Sequence, residues 1–172
     1  MSKRFTKIVS TNLAFLLVIF TLLHQLPIVE AQSAEFAGGS GDPNDPYLIK
    51  TAEQLDNVRN YLDRHFKLAA NIDLSDLESE WVPIGSQSAP FTGTLNGNGF
   101  TISNLTIQQS PTNDIGLFGA TDSNAVIKFV ILKNVNINTS DKENVGAIVG
   151  YNQGTIENSL AEGTVKGKNS VG

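Results

Sequence analysis

The sequence predicts an all-β chain wound as a solenoid of short stacked strands, with one amphipathic helix near its start. Three observations lead there. The stretch from Phe91 to Ile107 alternates large apolar residues with Thr, Ser and Asn in short runs, divided by an Asn-Gly-Asn-Gly corner at 96–99. Strand-like runs and small-residue corners then recur without the regular pairing of a meander. Finally, landmarks from Ile115 onward return after 26–30 residues, as expected where each unit buries its apolar side only by stacking on the next.

At the amino terminus, Lys3, Arg4 and Lys7 precede an apolar run from Leu13 to Leu23, followed by Pro27 and Val29-Glu30-Ala31. A basic head, a short apolar segment and small residues at −3 and −1 make residues 1–31 a secretory signal peptide cleaved after Ala31. The run is shorter than the ~20 residues a spanning helix needs, so no stable membrane span is expected after cleavage. Cleavage leaves residues 32–172, a single domain's length, and moves the formal charge from −5 to −7. An acidic secreted surface disfavours nucleic acid. With no cysteine, disulfides, thiol chemistry and Cys-ligated zinc are excluded.

Phe36–Lys50 is punctuated by Gly and Pro and leads into a short strand at Tyr47–Ile49. Asp42 and Asp45 lie three residues apart, but calcium takes six to eight oxygens, and Asp-Pro and Asn-Asp-Pro are turn initiators. Thr51 with Gln54 forms a capping box, and Leu55, Val58, Tyr61 and Leu62 follow on one helical face. A capping helix is therefore expected over about 51–64, covering the open end of the core and the edge of the first coil. His65, the only histidine besides His24, falls at the expected helix end, where the dipole favours a cationic ring. One histidine outside the signal permits neither a His-Glu-x-x-His site nor a multi-His metal site, and no Gly-x-Ser-x-Gly turn is present.

Strict alternation of Phe66, Leu68, Ala70, Ile72 and Leu74 predicts one strand over Phe66–Leu74. Asp73, Asp76, Glu78 and Glu80 then make an acidic loop. The reading preferred here is a solvated turn; a glycosidase pair would need two acids about 5–10 Å apart in a sugar groove. Trp81, the single tryptophan, lies among apolar neighbours and is expected in the core rather than as a sugar platform.

The repeats follow. Ile115–Gly119 is echoed by Val145–Gly150, and Val171-Gly172 restarts the pattern. Ala125–Lys128 aligns with Gly154–Glu157, and Asn134–Ile137 corresponds to Gly163–Val165. The stretch Val145–Ser159 resembles the GLUG motif, named for its Gly-Leu-aliphatic-Gly core, although Ala147-Ile148 replaces the usual Gly-Leu pair. Ile115–Gly119 resembles a degenerate first copy, so GLUG-like repeats run from about 115 to 172. The beginning, from Phe36 through Thr51–Leu55, is similar to the start of such proteins. The motif is found in bacterial surface and secreted proteins, including IgA-protease-type proteins and filamentous-haemagglutinin-like adhesins. The resemblance implies a right-handed parallel β-helix in a secreted or cell-surface protein, and it carries over no catalytic residue.

Three function classes stay open at this stage. The first is a non-catalytic module for adhesion or surface interaction, with host-matrix protein or polysaccharide as its partner and loops such as Asn138–Asn144 shaping the surface. The second is a β-helix carbohydrate-active enzyme, a polysaccharide lyase or glycoside hydrolase. The third is a passive spacer within a larger surface enzyme. No catalytic residue, metal ligand or cofactor is assigned. The break at Val171-Gly172, where another repeat should open, suggests a truncated chain with a strand edge open to edge-to-edge self-association. Asn104-Leu-Thr and Asn138-Thr-Ser match a glycosylation pattern, from which no modification is expected in a bacterial protein.

Overall fold

Strands of two to eight residues bury too little surface to stand alone, so their apolar faces must be completed by neighbours. The computed structural model describes residues 35–168; the expected signal at 1–31 and the restart at Val171-Gly172 lie outside them. Among the described residues are twelve strands: β1 (Tyr47–Ile49), β2 (His65–Leu68), β3 (Ile72–Asp73), β4 (Thr94–Asn96), β5 (Thr101–Ser103), β6 (Thr106–Ile107), β7 (Phe118–Thr121), β8 (Val126–Lys128), β9 (Ile131–Asn138), β10 (Val149–Asn152), β11 (Thr155–Glu157) and β12 (Leu160–Lys166). They form three sheets, ordered β1-β2-β4-β8-β11, β3-β5-β9-β12 and β7-β10, with β6 also on β9. All these pairings are parallel. The chain is a parallel β-solenoid of about four turns, each coil adding a strand to successive sheets.

The registers give the stacking directly. Phe66 pairs with Leu95, Leu95 with Ile127 and Ile127 with Ile156, at intervals of 29, 32 and 29 residues. On the second sheet Ile72, Ile102 and Leu132 stack, as do Ile107, Ile137 and Val165. On the third, Ile84, Phe118 and Val149 align. Apart from the exposed Ile156, these columns build one continuous apolar core, with Val165 half-buried against it. Aromatic rings run along it: Phe36 stacks on Tyr47 at 4.3 Å, and Phe91 contacts both Phe66 (6.2 Å) and Phe118 (4.7 Å). The repeat alignment is reproduced in Ile115 with Val145, Val126–Lys128 with Thr155–Glu157, and Val135–Ile137 with Gly163–Val165.

Three local expectations are corrected. The helix expected over 51–64 is only α1 (Ala52–Asp56), followed by a 3-10 turn at Asn57–Asn60. Asp56, Asn57 and Asn60 compete for the backbone and are weak helix formers, and β2 must begin at His65 to pair with Thr94. The start signal itself forms: Gln54 N donates to Thr51 Oγ1 (3.3 Å), while the Gln54 side chain accepts from Lys50 N (2.9 Å). Ala52, Leu55 and Val58 enter the core, but β1, rather than the helix, covers the edge of β2. His65 accordingly lies in β2 and not at a helix end. The run Phe66–Leu74 is two strands separated by a corner at Ala69–Asn71, because the inward alternation persists through the bend.

Corners are built by left-handed residues. At 97–100, Asn98 (φ 53°) and Gly99 (φ 80°) take the two positive-φ positions, and Phe100 N donates to Gly97 O (2.9 Å). Gly97 serves a different need. A Cβ there would lie 2.7 Å from Val130 Cα and closer still to Phe129 O, so its hydrogen permits the next coil's approach.

Candidate functional site

The acidic segment divides by role. Asp73 Oδ1 accepts from Asn104 Nδ2 (2.7 Å), Ser75 Oγ (2.7 Å) and Ser75 N (3.0 Å). These bonds, first that from Asn104, hold its carboxyl below the ordinary aspartate range. Such a group stays ionised and occupied, unlike a general acid, whose pKa must be raised. Asp76 and Glu78 are exposed, and Glu80 Oε1 accepts from Gln108 N (2.6 Å). Glu78, Glu80, Trp81, Asn104 and Thr106 help line a cleft of about 320 Å³. Trp81 is buried, and Nε1 donates to Leu117 O (3.0 Å), so its indole belongs to the core as expected, with the Arg59 guanidinium 5.7 Å from the ring.

The other residues weighed from sequence meet in a turn rather than in a metal site, and His65 N donates to Gly41 O (2.9 Å) beside it. Asp42 and Asp45 close a turn, with Asp45 N donating to Asp42 O (3.0 Å), and Asp42 lies 3.4 Å from Arg64. Among the described residues no group of three or more His, Asp or Glu is arranged to hold a metal ion. No helix among them is long and apolar enough to cross a membrane.

The sheet β3-β5-β9-β12, with β6 on β9, presents a regular polar outer surface. In β9, Lys133, Asn136 and Asn138 are exposed between inward Leu132, Val135 and Ile137. Thr106, Asn136 and Thr164 form one outward row across three coils, and Asn138 pairs with Lys166. The loop Asn138–Asn144 is fastened beside this row: Thr139 N donates to Lys166 O (3.0 Å) and Lys168 N to Lys142 O (2.7 Å). Lys142 lies 3.2 Å from Asp141, and its hydrogen bond lowers the Asp141 pKa. The result is a fixed polar face rimmed by a pinned loop.

No protein-family model matches the chain. No solved structure matches it either. It is similar, at 38% identity over 157 residues, to a Gly-rich membrane protein of Evansella cellulosilytica, the match covering 87% of this chain and 18% of that protein. It is also 39% identical over 145 residues to the protein named Halomucin of Haloquadratum walsbyi, covering 78% of this chain and 2% of that protein. The chain therefore spans less than a fifth of the length of either.

Three features escaped the sequence reading. One is a polar ladder in which Asn134 Nδ2 donates to Asn104 Oδ1 (3.2 Å) and Asn104 in turn donates to Asp73. Another is Asp114, buried and accepting from Gln87 Nε2 (2.9 Å to each oxygen) and Asn144 Nδ2 (2.8 Å). The repeat contained that signal, since Asp114-Ile115-Gly116 aligns with Asn144-Val145-Gly146. The third is Phe129, a 44% exposed phenylalanine at φ 54°.

Proposed function

We propose that this chain is a non-catalytic β-solenoid module of a secreted or cell-surface protein, acting in adhesion or surface interaction. The observation carrying this reading is the regular polar face of β6, β9 and β12, where Thr106, Asn136 and Thr164 align on a backbone fixed by continuous parallel pairing. A rigid scaffold lowers the ordering cost of binding, and repeated coils multiply weak contacts. The similarity to stretches of two much longer proteins, one named for a membrane and one for a mucin, supports a place in surface architecture. So does the GLUG-like stretch Val145–Ser159, with export through the segment ending at Ala31. Host-matrix protein or polysaccharide is the partner class proposed.

The test is retention of the purified chain on immobilised matrix proteins and polysaccharides, with soluble sugar measured in the same wells. Retention without release is the expected result. Release of oligosaccharide would overturn the non-catalytic reading and make Glu78 and Glu80 the first variants. Neither retention nor release would favour a passive spacer.

A further inference from the structure

We propose that Phe129 is the platform of a subsite for a neutral, equatorially hydroxylated sugar ring, set in the cleft between the corners of successive coils. This deepens the surface-interaction reading and rests on it. The first observation is conformational. Phe129 opens the two-residue corner between β8 and β9, and its register equivalent between β11 and β12 is Asn158. Both are left-handed, at φ 54° and 49°, and Asn98 in the preceding coil's corner has φ 53°. Asn suits this conformation through its short polar side chain, whereas a bulky residue there is strained by about 1–2 kcal/mol. Burial does not offset that strain, because the ring is 44% exposed and outside the core cluster.

The second observation is what surrounds the ring. Phe129 shares a cleft of about 320 Å³ with Asn96, Asn98, Gly99, Ile131 and Asn158, none of them charged. Asn98 is committed: its N–H donates to Asn96 Oδ1 (2.9 Å) and its Nδ2 to Leu68 O (3.2 Å). The Asn158 carboxamide makes no side-chain hydrogen bond among the described residues, so both its donor and its acceptor remain available to a ligand. Ile131 continues the apolar surface to its pairing partner Leu160, which is 57% exposed.

An outward ring, an apolar strip and uncharged amides match the two chemistries of a pyranose, an apolar C–H face and a rim of hydroxyls. A purely apolar peptide would leave the amides unpaired, which is costly once water is excluded. A polyanion meets an acidic chain with no cation in the cleft lining.

The test is calorimetric titration of the chain with hexaoses of β-linked glucose, xylose and N-acetylglucosamine, on wild type, Phe129→Asn and Phe129→Ala. At least one hexaose is expected to bind, and both substitutions should weaken it at least tenfold. Phe129→Asn should keep or raise the melting temperature, because it removes the strained aromatic. Absence of binding by all three hexaoses to wild type would overturn the proposal, as would unchanged affinity in Phe129→Asn. A clear fall in melting temperature in Phe129→Asn would also overturn it, by showing that the ring serves stability. If wild type and Phe129→Asn are retained equally on the immobilised panel while no hexaose binds, the subsite fails and the surface reading stands; loss of all retention by wild type fails both.

Discussion

The column Phe66, Leu95, Ile127, Ile156 offers a test of stacking in which one residue type occupies two environments. Ile127 is fully buried between Leu95 and Ile156, whereas Ile156, in the last described coil, is 39% exposed. Ile→Ala removes three carbons, worth about 0.8 kcal/mol each in transfer, or roughly 2.4 kcal/mol at a fully buried site. At Ile127 neighbours on both sides limit collapse, so a cavity contribution brings the expected loss to about 3–4 kcal/mol. At Ile156 the transfer term falls with exposure and the site opens to solvent, giving about 1–1.5 kcal/mol. Urea unfolding followed by circular dichroism measures both, with the slope checked because solenoids lose cooperativity between distant units. Equal losses, or a larger one at Ile156, would refute the claim that stability comes from cover on both sides.

Three further substitutions probe the corners. Asn104→Gly keeps a residue suited to the φ of 63° but removes the hydrogen bond to Asp73. The Asp73 pKa is depressed in the folded state, so its contribution is fully present above the unfolded value and is lost as pH falls through the folded one. Wild type should therefore lose stability below roughly pH 4, and Asn104→Gly should lose less over that interval; an NMR titration showing Asp73 unmoved by the substitution would refute this. Gly97→Ala forces a methyl into the backbone of the next coil, at about 1–3 kcal/mol by overpacking. Gly99→Ala meets no atom within 4 Å and carries only its φ strain, so thermal melts should rank Gly97→Ala as the more damaging.

The solenoid was legible because its physics is periodic: inward residues at Leu95, Ile127 and Ile156 recur at the spacing of a coil, and the aligned segments are the ones that pair. Local breaks were less legible. Phe66–Leu74 alternates through a corner because residues on either side of a bend both face the core, so periodicity alone does not mark the turn. The helix was overextended because Tyr61 and Leu62 are apolar at helical spacing yet pack on the core from the return to β2. Side-chain commitments were legible only where repeats align: Asp114 with Asn144 could be read across coils, whereas the bond from Asn104 to Asp73 requires the register itself.

The exposure of Ile156 and that of Phe129 have separable causes. Ile156 belongs to a column whose other members are buried, so its exposure follows from its place in the stack. Phe129 lies in an interior coil with partners on both sides, and its exposure follows from a corner conformation that turns the side chain away from the core. Cover by another coil would bury the first; it would leave the second at the corner, flanked by Asn98 and Asn158 as before. In a solenoid each coil's stability depends mainly on inward residues and adjacent backbones, so an outward corner residue can change without disturbing the stack. That separation makes the corners the positions where binding chemistry is added at least cost to the fold, and it makes a strained aromatic there a stronger indication of recognition than an exposed residue at the end of a column.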